Sequence, residues 1–259
     1  MDAYEKFKGQ VLKKTGLDLS LYKERQMKRR IESLIKRHNI LDFDNYFKLL
    51  ETNKDAFDEF MNYLTINVSE FYRNPEQWEI MLNEVFPEIL SKNKRPKIWS
   101  AACSTGEEPY TIAMVLSNLM PLKDIKILAA DIDKEAMKKA QIGVYTAKSL
   151  ENVPKAFVDK YFEKIGNTYK ICDDIKKCVE FKQMNLLDDP YPKDLDIVVC
   201  RNVMIYFTEE AKDAMYHKFN SALIDGGVLF VGSTEQIIMP TRYKFESKKT
   251  FFYRRNSKL

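Results

Sequence analysis

A chain of 259 residues, 45% hydrophobic and 31% charged, can bury one substantial core with a small appendage, which excludes a disordered protein. Lys and Arg number 42 against 38 Asp and Glu, and the resulting +4 is too small for a protein that coats nucleic acid. Eight glycines, well under the ~7% average, exclude collagen-like and low-complexity architectures and disfavour a glycine-rich phosphate cradle.

The chain opens on MDAYEKFKGQ, charged and amphipathic, without the basic start and apolar run of an export signal. With no apolar stretch near 18 residues, the expectation is a cytoplasmic protein with free thiols and no segment inserted in a membrane. Cys103, Cys172, Cys178 and Cys200 form no CxxC pair and have only His38 and His217 to join them, so no metal is expected.

The first seventy residues have helical periodicity and almost no strand signal. YEKFKGQVLKKTG predicts a helix closed by Gly16. In LYKERQMKRRIESLIKRHN, Leu21, Met27, Ile31, Leu34, Ile35 and His38 share one face, with Arg25, Lys28, Arg29, Glu32 and Lys36 opposite. Two further helices follow in DNYFKLLE and DAFDEFMNYLT, with Asp42 or Asp44, and Asp55, near their starts. Residues 1–40 hold 11 basic and 5 acidic side chains, whereas 41–60 hold 2 and 6, so the near-neutral total hides a local dipole. Such a charge run is ordinarily a solvated face.

From Lys97 the pattern alternates: KIWSA as strand, EPYTIAMVLSNLM as helix, IKILAADI as strand, KEAMKKAQIGVY as helix. This βαβα order requires a parallel sheet with right-handed crossovers. Residues from about Tyr145 to Cys178 break the alternation, and their length predicts an inserted antiparallel subdomain with a hairpin around Gly166-Asn167. The alternation resumes with VEFKQMNL and LDIVVCRN as strands, AKDAMYHKFNSAL as helix and GGVLFVGS as strand. YKFESKKTFFYRR closes the sheet as an antiparallel segment.

In an open α/β sheet a ligand sits at the carboxyl ends of the strands, so the residues just after each strand carry the weight. After the first comes AACSTGEEP, whose small residues let backbone amides approach a ligand beside a helix N-terminus. It has one glycine where the dinucleotide fingerprint needs three, and Glu107 and Glu108 would repel a pyrophosphate. After the second strand, Asp131 suits the two hydroxyls of a ribose, while Asp133 is better placed to cap the next helix. Asn185 and Leu186 follow the third strand, and Asn202 and Val203 the fourth. Asn at a strand end is ordinary turn chemistry, but four strand ends in succession with polar candidates suggest a nucleoside bearing an amino-acid tail, S-adenosylmethionine.

The segments TINVSEFYRNPEQW, IWSAACSTGEEPYTIAM, LAADIDKEAMKKAQIGVY and VVCRNVMIYF resemble the chemotaxis receptor glutamate methyltransferases, the CheR family. The resemblance runs over nearly the whole chain. It implies an α/β fold of the class I S-adenosylmethionine-dependent methyltransferase type, Rossmann-like, mostly parallel with a terminal antiparallel strand. An N-terminal all-helical receptor-docking domain is implied over residues 1–72, and the catalytic domain over 73–259 with the β-subdomain inserted at 146–180.

By the same resemblance Asn67, Ser69 and Arg73 reach the cofactor, Glu107 lies near its methionine part, Asp131 takes the ribose, Asn185 and Leu186 touch the nucleoside, and Asn202 and Val203 line the floor. Ser69 stands where the family has Thr, which keeps the hydroxyl. Arg73 and Tyr206 face the substrate. The implied reaction is methyl transfer to glutamate carboxylates in the cytoplasmic helical region of membrane chemoreceptors, leaving S-adenosylhomocysteine. Arg25, Lys28, Arg29 and Lys36 would dock that acidic helical surface, recruiting a monomeric enzyme to receptor arrays. The turn in EKIGNTYKI lacks the longer glycine-bearing stretch of members that grip a receptor's tail peptide, so the chain resembles the peptide-independent branch. Two rivals remain: a nucleic-acid methyltransferase of the same fold, opposed by the mild charge and by RNVMIYF after the fourth strand, and a non-catalytic cofactor-binding adaptor.

Overall fold

The computed structural model describes residues 2–65 and 69–259. They divide into two units, Met1–Asn67 with Ile205–Ala214, and Val68–Met204 with Met215–Leu259.

The first unit is built on four helices: α1 (Ala3–Thr15), α2 (Glu24–Arg37), α3 (Phe43–Thr52) and α4 (Lys54–Leu64). Their ends follow local chemistry. Gly16 adopts φ 74 and donates its N–H to Leu12, closing α1 where a side chain would be strained. Asp42 caps α3 by accepting from the Asn45 N–H. For α4 the cap is Asn53, which accepts from Ala56, while Asp55 sits inside the first turn. The apolar stripe Met27, Ile31, Leu34 and Ile35 is buried as its spacing predicts. It shares the unit's interior with an aromatic cluster in which Phe7 meets Phe43, Tyr46, Phe47 and Phe60 at centroid distances of 5.3–6.3 Å.

Residues 205–214 join this unit through the segment before α2. Lys23 donates its N–H to the Tyr206 carbonyl (2.9 Å), and Thr208 donates to the Leu21 carbonyl (2.9 Å). Between them the Tyr22 and Phe207 rings meet edge to face at 5.0 Å.

The second unit begins with one long helical stretch, α5 (Pro75–Ile80), a π-turn (Met81–Val85) and α6 (Phe86–Lys92), for which the sequence raised no expectation. Pro87 has no N–H to offer the carbonyl four residues before it, which accounts for the looser turn. The strands and helices then run β1 (Ile98–Ala101), α7 (Glu107–Leu116), β2 (Ile127–Asp131), α8 (Lys134–Ile142), β3 (Val144–Thr146), α9 (Lys155–Tyr161), β4 (Phe162–Ile165), β5 (Thr168–Ile171), α10 (Asp173–Lys176), β6 (Val179–Gln183), β7 (Leu195–Cys200), α11 (Glu209–Ala222), β8 (Leu223–Val231), β9 (Phe245–Lys249) and β10 (Phe252–Arg255).

Seven strands form one sheet in the order β6-β2-β1-β7-β8-β10-β9. The first five are parallel, and β10 and β9 complete the sheet antiparallel. This is the mostly parallel α/β arrangement that the alternation predicts, with the terminal antiparallel strands that the resemblance implies. All four residues of β1 and all six of β7 are buried, as parallel strands covered on both faces must be. The remaining strands make a small antiparallel sheet, β3-β5-β4, whose β4–β5 hairpin turns through Gly166-Asn167. It starts at Val144 because Gly143, at φ 73, ends α8 three residues before the predicted end. Among the described residues no helix is long and apolar enough to cross a membrane.

Candidate active site at the strand ends

Strand order reverses between β1, whose chain continues toward β2 and β6, and β7 on its other side. The crevice outside such a switch point is where open α/β sheets hold ligands. The loop leaving β1 is shaped for close approach: Ala102, Ser104 and Gly106 all have positive φ (84, 47 and 92). Two of the three pay with side chains, at roughly 1–3 kcal/mol each, so the loop must be held by its surroundings. Ala102 and Cys103 both donate to the Ala130 carbonyl (2.8 and 2.9 Å), and Tyr145 Oη donates to the Thr105 carbonyl (2.8 Å). At Gly106 a Cβ would lie 2.7 Å from the Ala140 Cβ, so the single glycine is a steric requirement of the loop.

Asp131, at the end of β2, accepts the Ser104 N–H on Oδ2 (2.7 Å) and the Asp133 N–H on Oδ1 (2.9 Å). It is 8% exposed, and burial pushes its carboxyl up to about 6 although those bonds pull the other way. Asp133 caps α8 through Glu135 and Ala136 (2.9 and 3.0 Å), the role the sequence gives it. The end of β6 lies beside them, because Met184 donates to the Asp131 carbonyl (2.9 Å). There Asn185 accepts the Leu187 N–H on its side-chain oxygen (3.1 Å) and donates its own N–H to Asp189 (2.8 Å), which spends the carboxamide oxygen on the turn. Leu186 is buried.

Glu107, first residue of α7, is 4% exposed. Thr105 Oγ1 donates to its Oε2 (2.6 Å) and the Ser69 hydroxyl also bonds it, but burial still raises its carboxyl. No cation among the described residues pairs with this buried acid. Asn67 lies outside the described residues. Arg73 is half-exposed, its Nε 4.0 Å from Glu70. Asn202 adopts φ 60 at the end of β7 and donates its N–H to Glu235 Oε2 (2.6 Å); Val203 follows it, partly buried.

Three further charged groups lie at these strand ends, and of them only Glu108 was named by the strand-end reading. Glu108 turns its carboxyl inward to accept from Ser100 Oγ (2.7 Å), and burial pushes it up to about 7 against the pull of Arg201. Arg201 is 7% exposed. Glu235 holds both the Asn202 and Gly232 N–H groups on one oxygen (2.6 and 2.9 Å). The available signals were a second acid in STGEEPY and an arginine directly after the buried run IVVC; nothing marked Glu235.

Tyr206 belongs to the helical unit. There it lines a concavity of about 490 Å³ with Lys23, Arg25, Gln26, Met27, Arg29 and Arg30. The structure thus brings the predicted Tyr206 together with two of the predicted docking residues. Arg25, Arg29 and Lys36 are exposed on α2, whereas Lys28 is partly buried, 3.8 Å from Asp2 and 5.2 Å from the Tyr4 ring.

Residues 67–252 match the CheR methyltransferase SAM-binding domain, and residues 2–65 match the CheR methyltransferase all-alpha domain. The chain belongs to the CheR methyltransferase family. It is 42% identical over 239 residues to a chemotaxis protein methyltransferase of Listeria monocytogenes, covering 92% of this chain and 91% of that one. A counterpart from Borreliella burgdorferi is 34% identical over 251 residues (88% and 89% covered) and one from Escherichia coli 30% over 235 (87% and 81%). As a CheR methyltransferase the chain uses S-adenosylmethionine as cofactor. The site fits that molecule chemically: a buried Glu107 without a cation matches an ammonium, and Asp131 can accept from hydroxyls while its backbone donors hold it in place.

Proposed function

We propose that this CheR-family methyltransferase esterifies glutamate side chains in the cytoplasmic helical region of chemoreceptors, with Asp131 on the ribose, Glu107 on the cofactor's ammonium, and Asn67, Ser69, Asn185, Leu186, Asn202 and Val203 completing the cofactor site. The observation that carries the reading is the pair of buried carboxylates, Glu107 and Asp131, on adjacent strand ends at the sheet's switch point. Two like charges in one crevice reject a phosphate and suit a ligand with a cationic tail and free hydroxyls.

S-adenosylmethionine supplies an activated methyl group. The acceptor needs little activation, because a glutamate (about 4.3 in model peptides) is ionised at neutral pH and can attack without a general base. The protein's task is therefore positioning, which can contribute on the order of 7–11 kcal/mol. Arg73 holds the acceptor carboxylate by a charge-assisted hydrogen bond, and Tyr206 orients the incoming oxygen or Arg73. Arg25, Lys28, Arg29 and Lys36 attract the acidic receptor surface, and the concavity beside Tyr206 is basic as that role requires. The enzyme works as a cytoplasmic monomer recruited to receptor arrays, without a nucleic-acid partner. The two-residue turn between β4 and β5 supports independence from a receptor tail peptide, and titration calorimetry against such a peptide should give no low-micromolar binding.

Incubation with labelled cofactor and receptor-rich membranes, followed by base, tests the reaction. Volatile methanol is expected from carboxyl esters. Base-stable label on nucleic acid, or no label, would replace the reading by one of its rivals.

A further inference from the structure

We infer that Arg201 is a positioning residue for methyl transfer, fixing the turn from which Arg73 reaches the substrate carboxylate. The inference rests on the reading that Arg73 holds that carboxylate. Arg201 directly follows β7, six buried residues at the switch point, so its backbone is set by the sheet. Its Nη2 lies 2.9 Å from the Arg73 carbonyl, 2.9 Å from Asn74 Oδ1 and 3.0 Å from Gln77 Oε1. The first two acceptors belong to the short segment entering α5 and the third to its first turn. The Arg73 carbonyl is gripped a second time by Trp78 Nε1 at 3.1 Å.

That segment needs holding. Tyr72 and Asn74, on either side of Arg73, both sit at positive φ (54 and 60), a conformation that side chains adopt only when neighbouring structure over-determines it. The guanidinium is itself confined, its carbon 5.4 Å from the Trp78 ring and 4.7 Å from the Phe230 ring. Glu108 and Glu235 offset the cost of its burial electrostatically. Glu235 also anchors Asn202 and Gly232, so one charge network ties the ends of β7 and β8 and the start of α7 to the root of Arg73. Arg73's backbone is fixed at two points while its side chain keeps 35% exposure, which suits a group that must meet an incoming substrate from a defined origin.

The test is a cycle of Arg73→Ala, Arg201→Ala and the double variant, read as kcat and KM for receptor, cofactor affinity by calorimetry and melting temperature. Arg201→Ala is expected to lower kcat by about 10²-fold, the effect of displacing a positioned group by about 1 Å, with cofactor affinity kept. The double variant should be no slower than Arg73→Ala, and added guanidinium should restore part of the Arg201→Ala rate. Arg201→Lys should fail like alanine, because an ammonium cannot present the planar fork. It replaces the alanine variant in the cycle if that one does not fold. Losses that multiply in the double variant, an unchanged kcat, or a loss confined to cofactor affinity would overturn the inference. Near-normal turnover of Arg73→Ala alone would instead remove the reading of Arg73 on which it rests.

Discussion

Helix α2 and the floor of the strand-end crevice use charge in opposite regimes. On α2, Arg25, Arg29 and Lys36 point into solvent, and in the concavity at its start four cations surround Tyr206. In the crevice, Glu107, Glu108, Asp131, Arg201 and Glu235 have their charged groups withdrawn from water, and burial lifts Glu108 to about 7 and Asp131 to about 6. Exposed charges act over a distance and are screened by salt; buried ones act at contact and change meaning with one proton. A surplus of cations is therefore a guide to encounter, and a shifted carboxylate a guide to chemistry.

The comparison breaks first at Asp131 and Glu107. Asp131→Ala or Glu107→Gln removes a charge-assisted contact worth about 1.5–3 kcal/mol, so cofactor affinity by calorimetry should fall about 10- to 100-fold while the receptor KM holds. Affinity unchanged in both would mean that these acids serve the fold alone. A pH series sharpens the same point. Asp131 and Glu108 have folded values above their unfolded ones, so the protonated forms favour the folded state. Without cofactor, the melting temperature should fall as pH rises through about 6 to 7. Cofactor affinity should run the other way, weakening below about 6 as Asp131 loses its charge.

Surface charge should yield less. Arg25→Glu with Arg29→Glu should lower kcat/KM for receptor several-fold at low salt, about 1 kcal/mol, with the deficit shrinking at high ionic strength. A salt-independent deficit would indicate direct contact in place of steering. Smallest of all is Glu59→Gln. Glu59 accepts from Arg37 (2.7 Å) and contacts His38 (2.9 Å), and chiefly the Arg37 bond holds its carboxyl below the usual range. A depressed carboxylate stabilises above its unfolded value and loses that contribution as pH falls through its folded value. Chemical denaturation should show a loss of at most about 1 kcal/mol at neutral pH, vanishing in acid.

Period and punctuation made most of the fold legible. The α2 stripe, the Gly16 cap, the alternating strands of the sheet and the Gly166-Asn167 hairpin all follow from local rules that the tertiary structure does not override. Residues 75–92 raised no expectation, although Pro75 opens α5 and Pro87 is absorbed at the start of α6. At the site, Glu107, Glu108 and Asp131 were singled out by their place after a strand. Arg201 and Glu235 were not, because what distinguishes them is burial with Glu108 across separations of up to 127 residues, and no local pattern encodes a neighbour that the sheet supplies.

The strand-like bridge between Tyr22 and Phe207 bears on how far the helical part can be treated as a detachable piece. An expectation of a contiguous module over residues 1–72 would let it be cut out, expressed alone or exchanged between homologues. Yet Phe207, 4% exposed, comes from the second half of the chain and supplies a ring and a single backbone bridge to the segment before α2. An isolated 1–72 fragment would leave Tyr22 and the entry to α2 without that partner, so a chimaera that exchanges receptor preference has to carry residues 205–214 along with the helices.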